Sequence, residues 1–588
     1  MKDTKNSFNF VWKYAKNKKK FLFLALFLSI ISMAMMVITP IYSAKVIVAL
    51  TDSELKQIIY LGLILMFINL VRDALNFAIK RTATILSRYT LQEMEIDIAK
   101  KILTIEKSVM DEKGTGSFIQ RLTNDAPRLS EIFHSYLDSG TNILSCVGCM
   151  VAVFTVNKIV FIFVLCMLTY IFFFERLRTI KREEDDKHVR KEKEKLTSLI
   201  SELVRGSNDI KMLNSEKGFV KEVNRRIDST NQAQLDMQKR SHKYKLFIWS
   251  SHDIFKYFLI ILLVYLMKNL GLAAATALVL YNYVNNLDWL PYELGYLLEY
   301  TKDLNLSCKR LMAIGDGDEF KKEKFGKKHL DKVEGNFEFK NVTFAYKNKK
   351  VLDNLNFKIK ANTTVGFVGR SGSGKTTIFN LLIKMYNIKH GEILIDGINI
   401  KDLDKDSIRG NITVISQNPY IFNLSIRENL KICKPDLTEE EMIEACKIAC
   451  LHDYIVDMKD GYDTIIGEGG VSLSGGQKQR LAIARALVQK TKIILFDEAT
   501  SALDNETQEQ IQQAIMNMKK DYTILIIAHR LSTIINCDKI MYLDRGKIIG
   551  SGTHEKLLKT LPEYTRLYNS EIKKRDNLEN KMNKEKED

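Results

Sequence analysis

Cysteine is scarce in this chain and never arranged as a framework. The 588 residues hold eight: Cys146, Cys149, Cys166 and Cys308 in or beside apolar stretches, and Cys433, Cys446, Cys450 and Cys537 later on. A secreted, disulfide-stapled protein is therefore excluded. Cys146 and Cys149 have the C-x-x-C spacing but sit inside an apolar run with no second pair, so helix packing accounts for them. Charge is missing over whole stretches. From Phe21 to Ala44 there is none in 24 residues, more than the ~20 needed to cross about 30 Å of hydrocarbon. No A-x-A-like site closes that run, and it outlasts the ~7–15-residue core of a cleaved signal, so it reads as a retained helix with Pro40 kinking its far end. Acidic residues are outnumbered, 71 against 88 Lys+Arg, for a net charge of +17. Lys16, Lys18, Lys19 and Lys20 precede the first apolar run and Lys80, Arg81 and Arg88 follow the second. That is a positive-inside pattern, and no nucleic-acid partner is expected.

The chain is too long for one hydrophobic core. Residues 21–300 carry the uncharged runs, whereas from about residue 330 short apolar runs alternate with Gly and charge, as in a soluble α/β domain. Residues 8–15, with Phe8, Phe10, Val11, Trp12 and Tyr14, suit a short helix in the membrane interface. Six spans are expected, at 21–44, 57–79, 137–157, 159–175, 246–267 and 269–290, with both termini on the cytoplasmic side of the cell membrane. Thr51–Lys56, Asn157-Lys158 and Lys268-Asn269 leave no room for an external domain. The connections 81–136 and 176–245 have helical spacing and dense charge, so the membrane helices are expected to continue into the cytosol. Charges inside the spans stand out: Arg72-Asp73 in the second, and Asp253 and Lys256 in the fifth, spaced to pair on one helical turn. Counted from Lys268 at ~1.5 Å per residue, Lys256 lies about 18 Å deep and Asp253 about 22 Å. That face is expected to line a pathway or to tie helices together. The lysine-rich Lys321–Lys332 reads as a flexible, solvated linker. The expected organisation is a membrane domain over 1–320, a linker over 321–334, a nucleotide-binding domain over 335–570 and a charged tail over 571–588.

Gly369-Arg370-Ser371-Gly372-Ser373-Gly374-Lys375-Thr376 fits the phosphate-loop pattern G-x-x-x-x-G-K-[ST] in full, after the buried strand Thr364–Val368 and before a helical run that opens with Thr377. Loop N–H groups and the helix N-terminus suit phosphate, Lys375 suits the β- and γ-phosphates, and the Thr376 hydroxyl suits Mg²⁺. ATP and Mg²⁺ are therefore the expected ligands. Ile493–Glu498 is an apolar strand ending in two carboxylates, Asp497 to hold Mg²⁺ and Glu498 to polarise water.

Between these motifs stands Leu473-Ser474-Gly475-Gly476-Gln477, and here the sequence resembles the ATP-binding cassette (ABC) family, whose signature loop reads the same. The resemblance implies that Tyr346 stacks on adenine, that Gln417 stands near Mg²⁺ and the membrane-domain junction, that Ser501–Asp504 is the D-loop with Asp504 at the nucleotide, and that His529 is the switch histidine. It covers the whole chain. An α-helical six-span transmembrane domain followed by one α/β P-loop NTPase of the ABC type is the layout of the exporter-type half-transporters. The layout implies ATP-driven export by alternating access, with ATP held between the phosphate loop of one chain and Ser474, Gly475, Gly476 and Gln477 of another, in a homodimer or heterodimer. A small molecule, lipid or peptide remains open as cargo, import or lipid flipping is the alternative, and the apolar runs oppose a soluble cassette ATPase. Gly116–Asp125 and Gly206–Phe219 look like the coupling regions that dock on cassettes. Gly469 stands where many exporters carry Arg. With no peptidase domain ahead of the first span, a leader-cleaving peptide exporter is not expected.

Overall fold

The computed structural model describes residues 2–51, 55–316, 319–467, 470–497, 522–528 and 531–570. The chain folds as two compact units, one built from the residues up to Thr104 and from Lys113 to Lys321, the other from Ile105–Glu112 and from Lys322 onward.

The first unit is helical: α1 Lys2–Ala15, α2 Lys19–Thr51, α3 Leu55–Ile102, α4 Lys107–Lys113 (which enters it only at its last residue), α5 Thr115–Gln120, α6 Ala126–Ser130, α7 Ile132–Val156, α8 Lys158–Arg205, α9 Ser207–Met212, α10 Glu216–Leu270, α11 Ala274–Leu287 and α12 Leu290–Asp316. Helices α3 and α8, of 48 residues each, run about 72 Å at ~1.5 Å per residue, over twice the ~30 Å of hydrocarbon. Among the described residues five helices are long and apolar enough to cross a membrane, within Thr4–Thr51, Leu55–Ile102, Thr115–Val156, Lys158–Arg205 and Glu216–Leu270. The turns are tight: Asn157 caps α8 by accepting from the N–H groups of Ile159 (2.9 Å) and Val160 (3.1 Å), and left-handed Gly271 ends α10. Pro40 lies inside α2 without ending it.

Three expectations change here. The sixth stretch, 269–290, is divided: α11 stops at Leu287 and α12 begins at Leu290, with Pro291 in its first turn. Proline offers no N–H to the Leu287 carbonyl and crowds it, so the helix must start afresh. Charge in the fifth span is balanced across helices rather than by the pair Asp253–Lys256. Lys256 Nζ lies 3.2 Å and His252 Nε2 2.8 Å from Asp288 Oδ2, at the break, because residues one turn apart on α10 share the face toward that carboxylate. Asp253 is exposed, and Arg72 and Asp73 approach only to 3.9 Å. Finally, α1 is more than an interfacial helix. Ser7, Val11, Tyr14 and Ala15 are buried, Tyr14 Oη donates to Asp97 at 2.6 Å, and Cys308 Sγ donates to the Ser7 carbonyl.

The segment that groups with the second unit is Ile105–Glu112, upstream of the expected coupling stretch Gly116–Asp125. Tyr386 donates to Asp111, and Asn387 Nδ2 to Glu106 Oε1 at 3.1 Å. Burial and the neighbouring Asp111 carboxylate push the Tyr386 hydroxyl far up, so it remains a donor. Residues 116–125 stay in the first unit, where Phe118 meets Phe320 edge-on at 5.4 Å and Arg121 Nη1 donates to the Arg310 carbonyl at 2.7 Å.

The second unit holds β1 Phe337–Tyr346, β2 Lys349–Ile359, β3 Thr364–Gly369, β4 His390–Ile395, β5 Ile398–Asn399, β6 Ile412–Ile415, β7 Leu424–Ser425, β8 Ile465–Ile466, β9 Ile493–Asp497, β10 Thr523–Ile527, β11 Lys539–Asp544 and β12 Lys547–Gly552. An antiparallel sheet runs β2-β1-β4-β5, and a larger sheet runs β12-β11-β3-β10-β9-β6, parallel except for β12. Strand alternation separates two cores: Phe367, Leu495 and Leu525 face one way and Val368, Phe496 and Ile526 the other.

The lysine-rich stretch is no free linker. Arg409 grips Glu323 through two hydrogen bonds (2.7 and 2.8 Å) and lies 5.1 Å from the Phe325 ring, with Lys384 at 4.9 Å. Gly326 N donates to Leu403 O (2.8 Å), Lys328 N to Asp402 O (2.9 Å) and Leu330 N to Ser407 Oγ (2.8 Å). A Cβ at Gly326 would stand 1.8 Å from the Asp402 carbonyl oxygen. Lysine content suggested solvation, but the pairing backbone and Phe325 decide the outcome, and the lysines point outward. Asp404 is held down to about 2 by hydrogen bonds from Ser407 and then His329. Its contribution is complete above the usual carboxylate value of ~3.9 and is lost only as pH falls toward 2.

The strap makes a testable difference. Limited trypsin digestion should cut slowly between Lys321 and Lys332 in the wild type and markedly faster in Arg409→Ala. That variant loses a partly buried charge-assisted pair and should be about 1–3 kcal/mol less stable to denaturant. Equally fast cleavage in both proteins would show a free linker.

Candidate functional site

β3 delivers the phosphate loop at its carboxyl end, and β9 brings Asp497 to the same edge, with β10 between them. In parallel α/β sheets that edge is where ligands bind. Two glycines are required by geometry. Gly369 (φ +152°) passes under the Leu543 carbonyl, whose oxygen would stand 2.0 Å from a Cβ, and Gly374 (φ +106°) packs where a Cβ would meet Leu352 Cδ2 at 2.6 Å. Ser373 N closes the turn on the Arg370 carbonyl at 3.1 Å, and Gly546 N holds the Ser373 carbonyl at 3.2 Å.

Lys375 is buried, its ammonium folded back on the loop: Nζ donates to the carbonyls of Gly369 (2.9 Å) and Arg370 (3.2 Å). The buried Ser373 Oγ has no hydrogen-bond partner among the described residues. A buried cation and an orphan hydroxyl inside one ring of backbone fit a phosphate. Arg370, Ser371 and Gly372 form the exposed rim. Thr376 Oγ1 lies 3.2 Å from Asp497 Oδ1, so a hydroxyl and a carboxylate, both hard oxygen donors, meet beside the loop. Among the described residues no group of three or more His, Cys, Asp or Glu side chains could hold a metal. Mg²⁺ is normally held by few protein oxygens and completed by phosphates, and the Thr376–Asp497 pair fits that pattern.

The remaining expected residues are distributed around this centre. Gln417 is exposed on the loop after β6, and its carbonyl accepts from Gln479 Nε2 at 3.2 Å. Ser474 caps the helix Gly475–Gln489 in a reciprocal box with Gln477: Gln477 N donates to Ser474 Oγ (3.2 Å) and Ser474 N to Gln477 Oε1 (2.8 Å). Ser474 and Gly475 are exposed and Gly476 half-buried, so this helix start is open to an anion. Tyr346 ends β1 half-buried, edge-on to Phe344 (4.9 Å) and Tyr386 (5.0 Å), with its hydroxyl 3.4 Å from Thr377 Oγ1. The Thr377 side chain thus turns toward Tyr346. Glu498, the D-loop with Asp504, His529 and Gly469 lie outside the described residues. Sequence reasoning missed Tyr386, Asp288 and His252. A lone carboxylate in the sixth apolar run was the available signal for Asp288.

Comparison with known proteins follows the same division. The family model described as ABC transporter matches residues 352–501, and that for the ABC transporter transmembrane region matches residues 22–285. An ATP-dependent lipid A-core flippase of Haemophilus influenzae (strain 86-028NP) is 45% identical over 269 residues, covering 45% of this chain and 46% of its own. Proteins of the same name from Francisella tularensis subsp. tularensis (strain FSC 198) and Salmonella typhimurium (strain LT2) are each 44% identical, over 246 and 265 residues, covering 42% and 45% of this chain and 40% and 45% of their own. The matched stretch spans less than half the length of these relatives.

The Tyr346 ring offers a face for a base. Tyr346→Ala should weaken ATP and GTP together, by the ~1–3 kcal/mol that base–aromatic stacking contributes, and Tyr346→Trp should retain both. Equilibrium binding of a fluorescent nucleotide, competed by each, measures this; unchanged affinity in the Ala variant refutes stacking.

Proposed function

The chain belongs to the ABC transporter family, as a multi-pass membrane protein carrying its own nucleotide-binding domain, and from that premise we propose that it is an ATP-driven exporter or lipid flippase working as a dimer of half-transporters. The observation that carries the proposal is the buried Lys375 ammonium beside the orphan Ser373 hydroxyl, in the same chain as five apolar membrane-length helices. Both termini and the nucleotide-binding domain lie on the cytoplasmic side in this reading, consistent with the basic residues flanking the first two apolar runs.

The phosphate loop binds the β- and γ-phosphates through its N–H groups and Lys375. Thr376, Asp497 and Gln417 would hold Mg²⁺, which when bound would supply positive charge to the phosphates. Tyr346 stacks on the base. Ser474, Gly475, Gly476 and Gln477 of a second copy, or of a related chain, approach the γ-phosphate from across the dimer with the open helix start. Ligand-dependent closure then biases the membrane units toward one of two states, and loss of the γ-phosphate releases them. Glu498 takes a proton from the attacking water, and His529 and Asp504 complete the γ-phosphate side. The relatives' name points to a lipid or lipid-like amphiphile as cargo, and stimulation of hydrolysis across lipids, peptides and amphiphilic drugs tests that class.

Glu498→Gln retains shape and removes the base. Turnover in reconstituted protein should fall by about 10²–10⁴-fold with ATP binding intact. Near-normal steady-state hydrolysis in that variant sinks the assignment.

A further inference from the structure

The break between α11 and α12 gathers polar groups that the nucleotide cycle does not use. Asp288, at the break, has a side chain only 13% exposed and shares its Oδ2 between His252 and Lys256. Its Oδ1 is buried with no hydrogen-bond partner among the described residues, and so is Asn285 Oδ1 one turn earlier. Five residues on, in α12, Glu293 Oε1 accepts from the neutral Asn142 amide at 2.8 Å, and Glu293 forms no ion pair among the described residues. Trp289, between these acceptors, is 67% exposed. From the start of α11 at Ala274, Asp288 lies about 21 Å along at ~1.5 Å per residue, so the group falls within the span of a bilayer's hydrocarbon.

Charge and hydrogen bonding have the same deficit. In formal charge from Lys, Asp and Glu, Lys256 contributes one positive charge and Asp288 and Glu293 one negative charge each, a sum of −1. Among the described residues, two buried acceptors here lack donors. Ionised groups at this depth are costly unless paired, and buried acceptors cost free energy until a donor arrives. An anion would meet two carboxylates. An ammonium supplies both the missing charge and up to three donors, and the exposed indole of Trp289 offers a face for cation–π contact.

We propose that the break in the sixth apolar stretch, formed by Asn285, Asp288, Trp289 and Glu293, binds the protonated amine of an amphipathic cargo. The proposal deepens the transporter reading and rests on it. Asn285 Oδ1 and Asp288 Oδ1 accept from the ammonium, Glu293 balances its charge, and the apolar tail lies along the lipid-facing helix surface.

The test uses the full-length chain in phosphatidylcholine nanodiscs with Trp12→Phe and Trp249→Phe, so that emission comes from Trp289. Dodecylamine, protonated at pH 7, is titrated against dodecanol and dodecanoate. A saturable change with the amine is expected, about tenfold or more weaker in Glu293→Gln, with neither control saturating below tenfold higher concentration. The double variant Asp288→Asn/Lys256→Met, which removes a paired charge without stranding its partner, should weaken the amine similarly. Equal affinity in both variants and the parent, equal saturation by dodecanol, or saturation by dodecanoate alone overturns the proposal; dodecanol saturation would mean that any donor, water included, satisfies the acceptors. ATP hydrolysis in the same discs separates the two readings. Hydrolysis without amine binding overturns only this site, and amine binding without hydrolysis overturns only the ATP-driven cycle.

Discussion

Everything in the second unit turns on keeping one ammonium out of water. Lys375 is buried, and its ammonium is met by the Gly369 and Arg370 carbonyls of its own loop. Such a cation is tolerable because carbonyl dipoles surround it, and those dipoles exist only if the loop is wound tightly enough to present them. The tight winding needs Gly369 and Gly374, the glycines need close cover from Leu543 and Leu352, and that cover needs β11 and β2 in register. A chain of steric requirements thus runs from a solvated motif into both sheets. A phosphate placed there would complete a charge arrangement that the fold has already set up.

The membrane unit solves the opposite problem. Its helices meet lipid, so burial of apolar surface gives little preference for one packing over another, and small or polar side chains set the contacts. Gly148 lets α7 approach Met33 and Val37 of α2, Ser29 and Thr141 hydrogen-bond at 2.7 Å, and Tyr283 Oη reaches the Val37 carbonyl at 2.8 Å. Packing by small residues leaves the rare charged groups conspicuous, and His252, Lys256 and Asp288 meet where a helix is interrupted.

How much of this was legible in the sequence depended on distance along the chain. The phosphate loop and Asp497 at the end of its apolar strand were readable because their chemistry is set by residues within a few positions. The β-strand Ile493–Asp497 and the apolar runs followed from local periodicity. Three features were not readable, for one shared reason. Lys256 pairs with Asp288, Asp111 with Tyr386, and Glu323 with Arg409. Each joins residues at least 32 positions apart, and local spacing offered a plausible but different partner or none. Pro291 was the exception, a local signal that was passed over beside an apolar run.

The strap from Glu323 to Leu330 carries a consequence for anyone splicing this family. By composition it is the obvious seam, lysine-rich and short of apolar residues, where a membrane domain could be joined to another cassette or a tag inserted. By structure it is part of the cassette's own fabric, with Gly326 pressed against the Asp402 backbone. A chimera cut at residue 335 would leave Arg409 facing no carboxylate and expose the bed of Phe325. The same exchange made at Lys321 would keep Glu323, Phe325 and Gly326 with the residues they pack on. The modular joint of this chain lies ahead of its lysines rather than among them.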